Sequence, residues 1–371
     1  MPTLDDVTAL LDEWFPPRRA DEWDAVGLVL GDPAVDVRRI LLAVDPVTAV
    51  ADEAILHDAD LLVTHHPLFL KGVHGVAATD PKGRLAHRLV SNGCALFTAH
   101  TNADSPVGGV SEALALALGL EGLRPLDPRP TELDKFVVFV PVAAAERVRA
   151  AMAEAGAGRI GDYDQASFTS HGEGRFRPLD GAAPAIGEVG RAEVVDEVRI
   201  EMVASRELRG YVFAKMRAAH PYEEPAYDVI ELASDDDRDD GSGRLGYLAE
   251  PISLREFAKR VASVLPATAH GVRVAGHPDQ RVEFVGVCGG AGDFLLDRVH
   301  QGVDVYLTSD LRHHPASELR EHGAPALVDV AHWAAESTWL PVLQRRLADA
   351  LGDTVEVRVS ATNTDPWTFR V

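Results

Sequence analysis

The chain has 371 residues, 46% of them hydrophobic and 25% charged, enough for two or three domains with a large core. Its formal net charge of -22 argues against a general nucleic-acid or anionic-membrane binder, because such surfaces are basic. The two cysteines, Cys94 and Cys288, stand far apart in apolar contexts without a Cys-x-x-Cys. They read as free buried thiols of a cytosolic protein, and no thiolate zinc site is expected.

Residues 1–14 place Val7, Leu10, Leu11 and Trp14 at helical spacing, an amphipathic helix packed on a core rather than a signal peptide. No apolar run approaches the ~18 residues of a membrane span, so a soluble, cytoplasmic protein with no membrane partner is expected. Residues 24–33 read as a short strand closed by Gly31-Asp32-Pro33. A strand over 37–45, a helix over 48–57 and the apolar Leu61-Leu62-Val63-Thr64 then form a βαβ unit whose second strand is buried on both faces. His65 and His66 follow at that strand's C-terminal end, where open α/β sheets bind ligands, and Pro67 lets the pair splay. By itself the pair reads more readily as a solvated loop. A helix over 85–91 and a strand over 94–99 come next, and this strand delivers His100 and Asp104. Asp104 alone suits a cap of the helix expected over 110–118.

Residues 125–132, rich in proline and charge, read as a linker. Beyond it come a strand over 135–141, a helix over 143–155, a Gly-rich polar stretch over 156–190, a strand over 194–204, a helix over 207–218 and a strand over 226–232. That order suggests a ferredoxin-like α+β module. The acidic run 234–240 reads as a solvated linker out of it. The earlier style then returns: a strand over 283–288, the glycines of 289–292, a helix over 294–300, a strand over 303–308, and His313-His314-Pro315. This parallels the run from 37 to Pro67 as a divergent internal repeat of two α/β halves. The glycines form either a phosphate cradle at a helix N-terminus or a tight turn. A third strand, over 326–330, runs into His332 and Glu336, whose i, i+4 spacing puts both on one face of a helical turn. Pro341 fits the first turn of a helix beginning near Ser337.

Strand ends therefore offer His65 with His66, Asp104, and His332 with Glu336, and in a parallel sheet such ends converge on one edge. Five residues of this kind can hold two divalent ions, with mixed imidazole and carboxylate ligands suiting zinc, manganese, iron or cobalt. His100 is the candidate proton shuttle, a histidine being the side chain that exchanges protons near neutral pH; the alternative is a core histidine bonded to a neighbouring loop.

Five motifs carry a family resemblance: Asp24-Ala25-Val26-Gly27-Leu28, Thr64-His65-His66-Pro67-Leu68, His100-Thr101-Asn102-Ala103-Asp104, Thr308-Ser309-Asp310-Leu311-Arg312-His313-His314, and Asp329-Val330-Ala331-His332-Trp333-Ala334-Ala335-Glu336. In this order they resemble the NIF-three-like dinuclear-metal family, which includes the GTP cyclohydrolase I type 2 homologues. The resemblance implies metal ligands at His65, His66, Asp104, His332 and Glu336, with His100 beside the metals, and a ring-shaped homohexamer; His100 and Glu336 are the candidate catalytic residues. The reaction it implies is hydrolytic opening of the GTP imidazole ring with release of formate. The turn His220-Pro221-Tyr222-Glu223-Glu224-Pro225-Ala226-Tyr227 resembles the form of the family with an inserted domain similar to PII and CutA proteins. It is read as a turn into a strand, not as a ligand set. Ser309, Ala331 and Asp24-Ala25 depart from the family pattern and bear on loop detail. The expected architecture is two α/β halves, 1–130 and 237–371, forming one metal-binding domain around an insert at 131–236. The competing functions are a non-catalytic metal-dependent binding or regulatory scaffold and a metal-dependent phosphoesterase.

Overall fold

The computed structural model describes residues 1–233, 235–299, 302–323 and 325–371, and of residues 235–238 the backbone alone. They fall into two compact units, Met1–Arg129 with Arg238–Val371, and Pro130–Asp237. The first strands are β1 (Gly27–Leu30), β2 (Arg39–Ala43), β3 (Leu61–Thr64), β4 (Ala95–Thr98) and β5 (Leu120–Thr131). In the second unit follow β6 (Leu133–Pro141), β7 (Phe168–Phe176), β8 (Glu193–Ser205) and β9 (Tyr227–Glu231). Leading back into the first unit are β10 (Asp235–Ser253), β11 (Arg273–Ala275), β12 (Arg281–Ala291), β13 (Val305–Ser309), β14 (Ala326–Val330) and β15 (Glu356–Val359).

One sheet of the first unit has the order β1-β4-β3-β2-β15 and is parallel except for β1. Its central strands read as unbroken apolar runs because helices cover both faces. Ile40, Leu42, Val63 and Phe97 pack with Leu4, Val7 and Leu11 of the helix Leu4–Trp14. Their alternating neighbours Leu41, Leu62 and Leu96 pack with Val50 and Ala54 of Thr48–Leu56 and with Leu85 and Leu89 of Pro81–Ser91. Thr3 and Asp6 start the first helix as a capping box, the Asp6 N–H donating to the Thr3 hydroxyl at 3.2 Å and the Thr3 N–H to the Asp6 carboxylate at 2.8 Å.

The second sheet has the order β11-β14-β13-β12-β10-β5, with β12, β13 and β14 parallel. Val285, Val287, Leu307 and Val328 bury one face against Leu254, Phe257 and Val261 of the helix Leu254–Val264. Cys288, Tyr306 and Leu327 bury the other against Leu295, Leu296 and Leu319. Both cysteines are free and buried, and burial pushes each thiol up to about 12. Among the described residues no helix is long and apolar enough to cross a membrane.

Several expectations change. The proline-rich stretch 125–132 does contain the boundary between the two units, but it is not irregular: it lies almost wholly within β5, an edge strand, where proline withholds N–H groups the ladder does not use. Of the acidic stretch 234–240, Ser234 and the side chains of 235–238 lie outside the described residues. Asp240 is 3% exposed and pairs with Arg19 at 3.2 Å, so it is not solvated. Of the glycines of 289–292, the first two lie within β12, which runs to Ala291, and Gly292 makes the tight turn into the 3-10 turn Asp293–Leu295 and the short helix Leu296–Val299. The expected end of that helix, His300, lies outside the described residues. His313 and His314 are exposed on the helix His313–Glu321. Finally, β15 pairs with β2, so the end of the chain returns to the first sheet.

In the second unit the order is strand, helix, strand, strand, helix, strand. The sheet is antiparallel with order β7-β8-β6-β9. Phe136, Val138, Val198 and Ile200 pack on Val148 and Met152 of Ala145–Glu154 and on Val212 and Met216 of Arg209–Ala219. The strand β7 interrupts what reads as a Gly-rich loop.

A buried carboxylate anchors this unit. Asp134 is fully buried and accepts from Arg209 Nε at 2.6 Å and Nη2 at 2.9 Å, and from Arg206 Nε at 3.3 Å. The Arg209 hydrogen bonds, with Arg206, hold its carboxyl below the usual range against the opposing effect of burial. A carboxyl depressed on folding adds stability above its unfolded value, near pH ~3.9, which is lost as pH falls through the folded value. Asp134→Asn is therefore expected to lower the unit's thermal midpoint by roughly 5 °C at pH 7, the partly exposed arginines limiting the effect. The difference from wild type should shrink below pH ~3. Calorimetry at both pH values checks this; equal midpoints at pH 7 would remove Asp134 from its anchoring role.

Candidate metal centre

The centre lies wholly in the first unit, at the C-terminal ends of its parallel strands. β3 ends at Thr64, whose hydroxyl donates to the His66 carbonyl at 2.8 Å and ties the turn that splays His65 and His66. Their ring centroids stand 5.1 Å apart with planes at 41°. β4 delivers His100, and the short helix Thr101–Asp104 ends on Asp104. The helix His332–Ser337 holds His332 and Glu336 one turn apart, Nε2 of the histidine 2.7 Å from Oε1 of the glutamate.

These groups converge. Glu336 Oε1 is 3.4 Å from His65 Nε2, Glu336 Oε2 is 3.1 Å from His66 Nε2, and Asp104 Oδ1 is 3.5 Å from His65 Nε2. Two sets of ligand atoms fall within 4.8 Å of one another: His65, His66 and His100, and His66, His332 and Glu336. His66 belongs to both. All six residues named from the sequence are brought together, and His100 stands among the nitrogens rather than behind them.

Each imidazole is oriented from outside. His66 Nδ1–H donates to Asp45 Oδ1 at 2.6 Å, His332 Nδ1–H to Asp310 Oδ2 at 2.6 Å and His100 Nδ1–H to Asp24 Oδ1 at 2.8 Å. His65 Nδ1–H donates to the Ala99 carbonyl at 2.9 Å. With Nδ1 committed as donor, every Nε2 is the nitrogen turned inward, where a metal would take the place of its proton, the arrangement that fixes metal-binding histidines.

Whether a cation suits the site is decided by atoms that nothing else satisfies. Among the described residues, His65 Nε2, Asp104 Oδ1 and Glu336 Oε2 are buried without a hydrogen-bond partner. Native proteins rarely leave such atoms orphaned, and here three share one spot. The electrostatics agree. Burial alone would strip the proton from His66 and His332, but Glu336, helped by Asp45 and Asp310 respectively, holds them at about 10 and about 11. Burial would raise the Glu336 carboxyl, yet the surrounding imidazoles hold it well below its ordinary value. A cluster that binds positive charge this strongly, with nitrogen and oxygen donors, fits first-row divalent ions.

Sequence reasoning missed two kinds of residue. Asp45 and Asp310 lie just past the ends of β2 and β13, and a carboxylate immediately beyond a parallel strand was the available signal. Asp310 also adopts φ +57, rare for a residue with a side chain and characteristic of functional sites. Gly290 is the other kind. At φ +71, a Cβ there would lie 2.6 Å from Glu336 Oε1 and 3.4 Å from His332 Nε2, so the glycine leaves room for the centre. Asp45→Asn and Asp310→Asn are each expected to weaken divalent-ion binding about 10- to 100-fold with the fold retained. Competition against a chromogenic chelator measures this, and unchanged affinity in both would deny the aspartates an orienting role.

The chain matches Duf34/NIF3 (NGG1p interacting factor 3) over residues 2–366. It is 51% identical over 367 residues to a GTP cyclohydrolase 1 type 2 homolog of Mycobacterium tuberculosis, covering 98% of this chain and 96% of that one. The homolog of the same name in Bacillus subtilis is 38% identical, covering 98% and 97%. The crystal structure of a Bacillus cereus protein related to NIF3 superposes with a TM-score of 0.82 at 37% identity, covering 100% and 99% of the two chains.

Proposed function

The chain belongs to the Duf34/NIF3 family, and from that premise we propose that it is a dinuclear metal-dependent hydrolase acting on a nucleotide-like small molecule, with GTP the first candidate. The observation that carries the reading is the convergence of three orphaned buried atoms, His65 Nε2, Asp104 Oδ1 and Glu336 Oε2. In this reading His65, His66, Asp104, His332 and Glu336 hold two divalent ions, zinc, manganese, iron or cobalt. Such a pair supplies Lewis acidity and an acidified water.

The chain's own groups do the rest. Glu336 points one oxygen at His65 and His332 and the other at His66, so a single side chain joins the two ligand sets. Asp24 accepts a hydrogen bond from the Nδ1–H of His100, and the Thr101 hydroxyl and N–H donate to the second Asp24 oxygen. The His100 ring is thereby fixed with Nε2 inward, able to accept a proton there and return it to a leaving nitrogen. The Trp23 ring stands edge-on to His100 at 5.9 Å and limits its swing.

The β-α-β-β-α-β unit and its His220-Pro221-Tyr222-Glu223-Glu224-Pro225 turn support an inserted PII/CutA-like module over 131–236, between metal-binding halves 1–130 and 237–371. A cytoplasmic homohexameric ring completes the reading.

The test is turnover of GTP by protein reconstituted with Mn²⁺ or Zn²⁺. Metal-dependent formate release, abolished in His66→Ala, is the expected result. Phosphate release without formate would make the protein a phosphoesterase. Neither product would favour a metal-dependent binding or regulatory protein.

A further inference from the structure

The second unit carries a groove of about 540 Å³ on the sheet face opposite its helices, remote in chemistry from the metal centre. Its base is a carboxylate. Glu197 of β8 is 9% exposed, and its Oε1 accepts the Tyr222 hydroxyl at 2.9 Å. Burial and this carboxylate hold the hydroxyl above its ordinary range, so Tyr222 remains the donor. Among the described residues Glu197 makes no ion pair. Of the three arginines lining the groove, Arg175 pairs with Glu173 and Arg199 with Glu201, each at 2.7 Å, and Arg177 is exposed. A carboxylate at the base of an apolar cleft gains from a further donor, and among the described residues no protein group donates to Oε2.

The strand beside it is cut away to leave that oxygen accessible. Gly172 lies opposite Glu197 in the β7–β8 register, and Gly174 is the next residue on the same face. A Cβ at Gly174 would lie 2.2 Å from Glu197 Oε2, whereas one at Gly172 would meet nothing within 4 Å. Glycine weakens a strand interior and marks places where something approaches the backbone closely. The walls are apolar and flat: Phe176 meets Tyr222 edge-on at 5.6 Å, with Phe139 and Ile186 alongside. The loop carrying Ile186 is pinned over the groove, the Ala183 N–H donating to Glu223 at 3.0 Å. The turn singled out in the sequence supplies Tyr222 and Glu223, and the metal chemistry uses neither.

We propose that this groove binds a small molecule bearing an amino or amidine donor on a flat apolar body, the donor meeting Glu197 Oε2 and the body lying between the aromatic walls. A few convergent polar groups in an apolar cleft are the usual form of such sites. The proposal stands apart from the metal reading and survives its failure.

Benzamidine, with benzoate as the isosteric anion, tests it by calorimetric titration of the full-length protein. Benzamidine should bind with a Kd of about 1 mM or tighter, and benzoate should not bind. Glu197→Gln should weaken benzamidine binding about tenfold or more. Gly172→Phe should abolish it by filling the groove, and because the added Cβ meets open space this variant keeps the test decisive if Glu197→Gln fails to fold. Equal binding of benzoate, unchanged binding in Gly172→Phe, or no benzamidine binding at about 10 mM would overturn the proposal.

Discussion

Glu336→Gln is expected to lower affinity for first-row divalent ions by at least about 100-fold while leaving the far-UV circular dichroism unchanged. Glu336 is 3% exposed and stands within 3.4 Å of three imidazole Nε2 atoms, so its carboxylate touches histidines of both ligand sets. The amide keeps its size and removes the charge that draws cations in. Because the helix His332–Ser337 is held by Ala334 and Ala335 in the core, its position does not depend on the carboxylate. Chelator competition on the folded variant measures the loss. Affinity within a few-fold of wild type would mean that Glu336 is not a ligand.

Arg244→Ala should have the largest effect on stability, about 3–5 kcal/mol. The side chain is 1% exposed, and its guanidinium donates from Nη1 to the carbonyls of Gly241 at 2.8 Å and Gly243 at 2.9 Å. From Nη2 it donates to Ser105 at 2.6 Å and Asp239 at 3.2 Å, and from Nε to Glu112 at 3.3 Å. Alanine leaves those carbonyls and the Glu112 carboxylate without their donors. Arg244→Lys should recover little, since an ammonium cannot reproduce the planar fork. Urea unfolding of the three proteins measures this, and a loss below about 1 kcal/mol would show that water replaces the guanidinium freely.

How much could be read in advance follows from burial. β3 was legible because Leu61, Leu62 and Val63 are buried on both faces, and an unbroken apolar run needs no neighbour to identify it. The same holds for β4, so the positions of His65, His66 and His100 at strand ends were visible. β7 and β15 were not. Phe168–Phe176 carries glycines and charges, and in Glu356–Val359 exposed residues alternate with half-buried ones, so only their pairing partners identify them as strands. The helix Leu254–Val264 did leave a signal, the Ser253 and Glu256 capping box, ahead of buried Leu254, Phe257 and Val261. Pro125, Pro128 and Pro130 misled because the sequence shows proline but not whether a strand is at an edge. Gly290 was beyond reach for a different reason: its meaning depends on a glutamate that only the fold brings within 2.6 Å of where a Cβ would stand.

The central claim is that His65, His66, Asp104, His332 and Glu336 hold two metal ions. The most direct measurement is anomalous diffraction at the absorption edge of the metal that co-purifies without chelator, or of Mn²⁺ after reconstitution. The account predicts two anomalous peaks per chain among the side chains of His65, His66, Asp104, His332 and Glu336. Crystals of reconstituted protein with no anomalous density at these residues would contradict it.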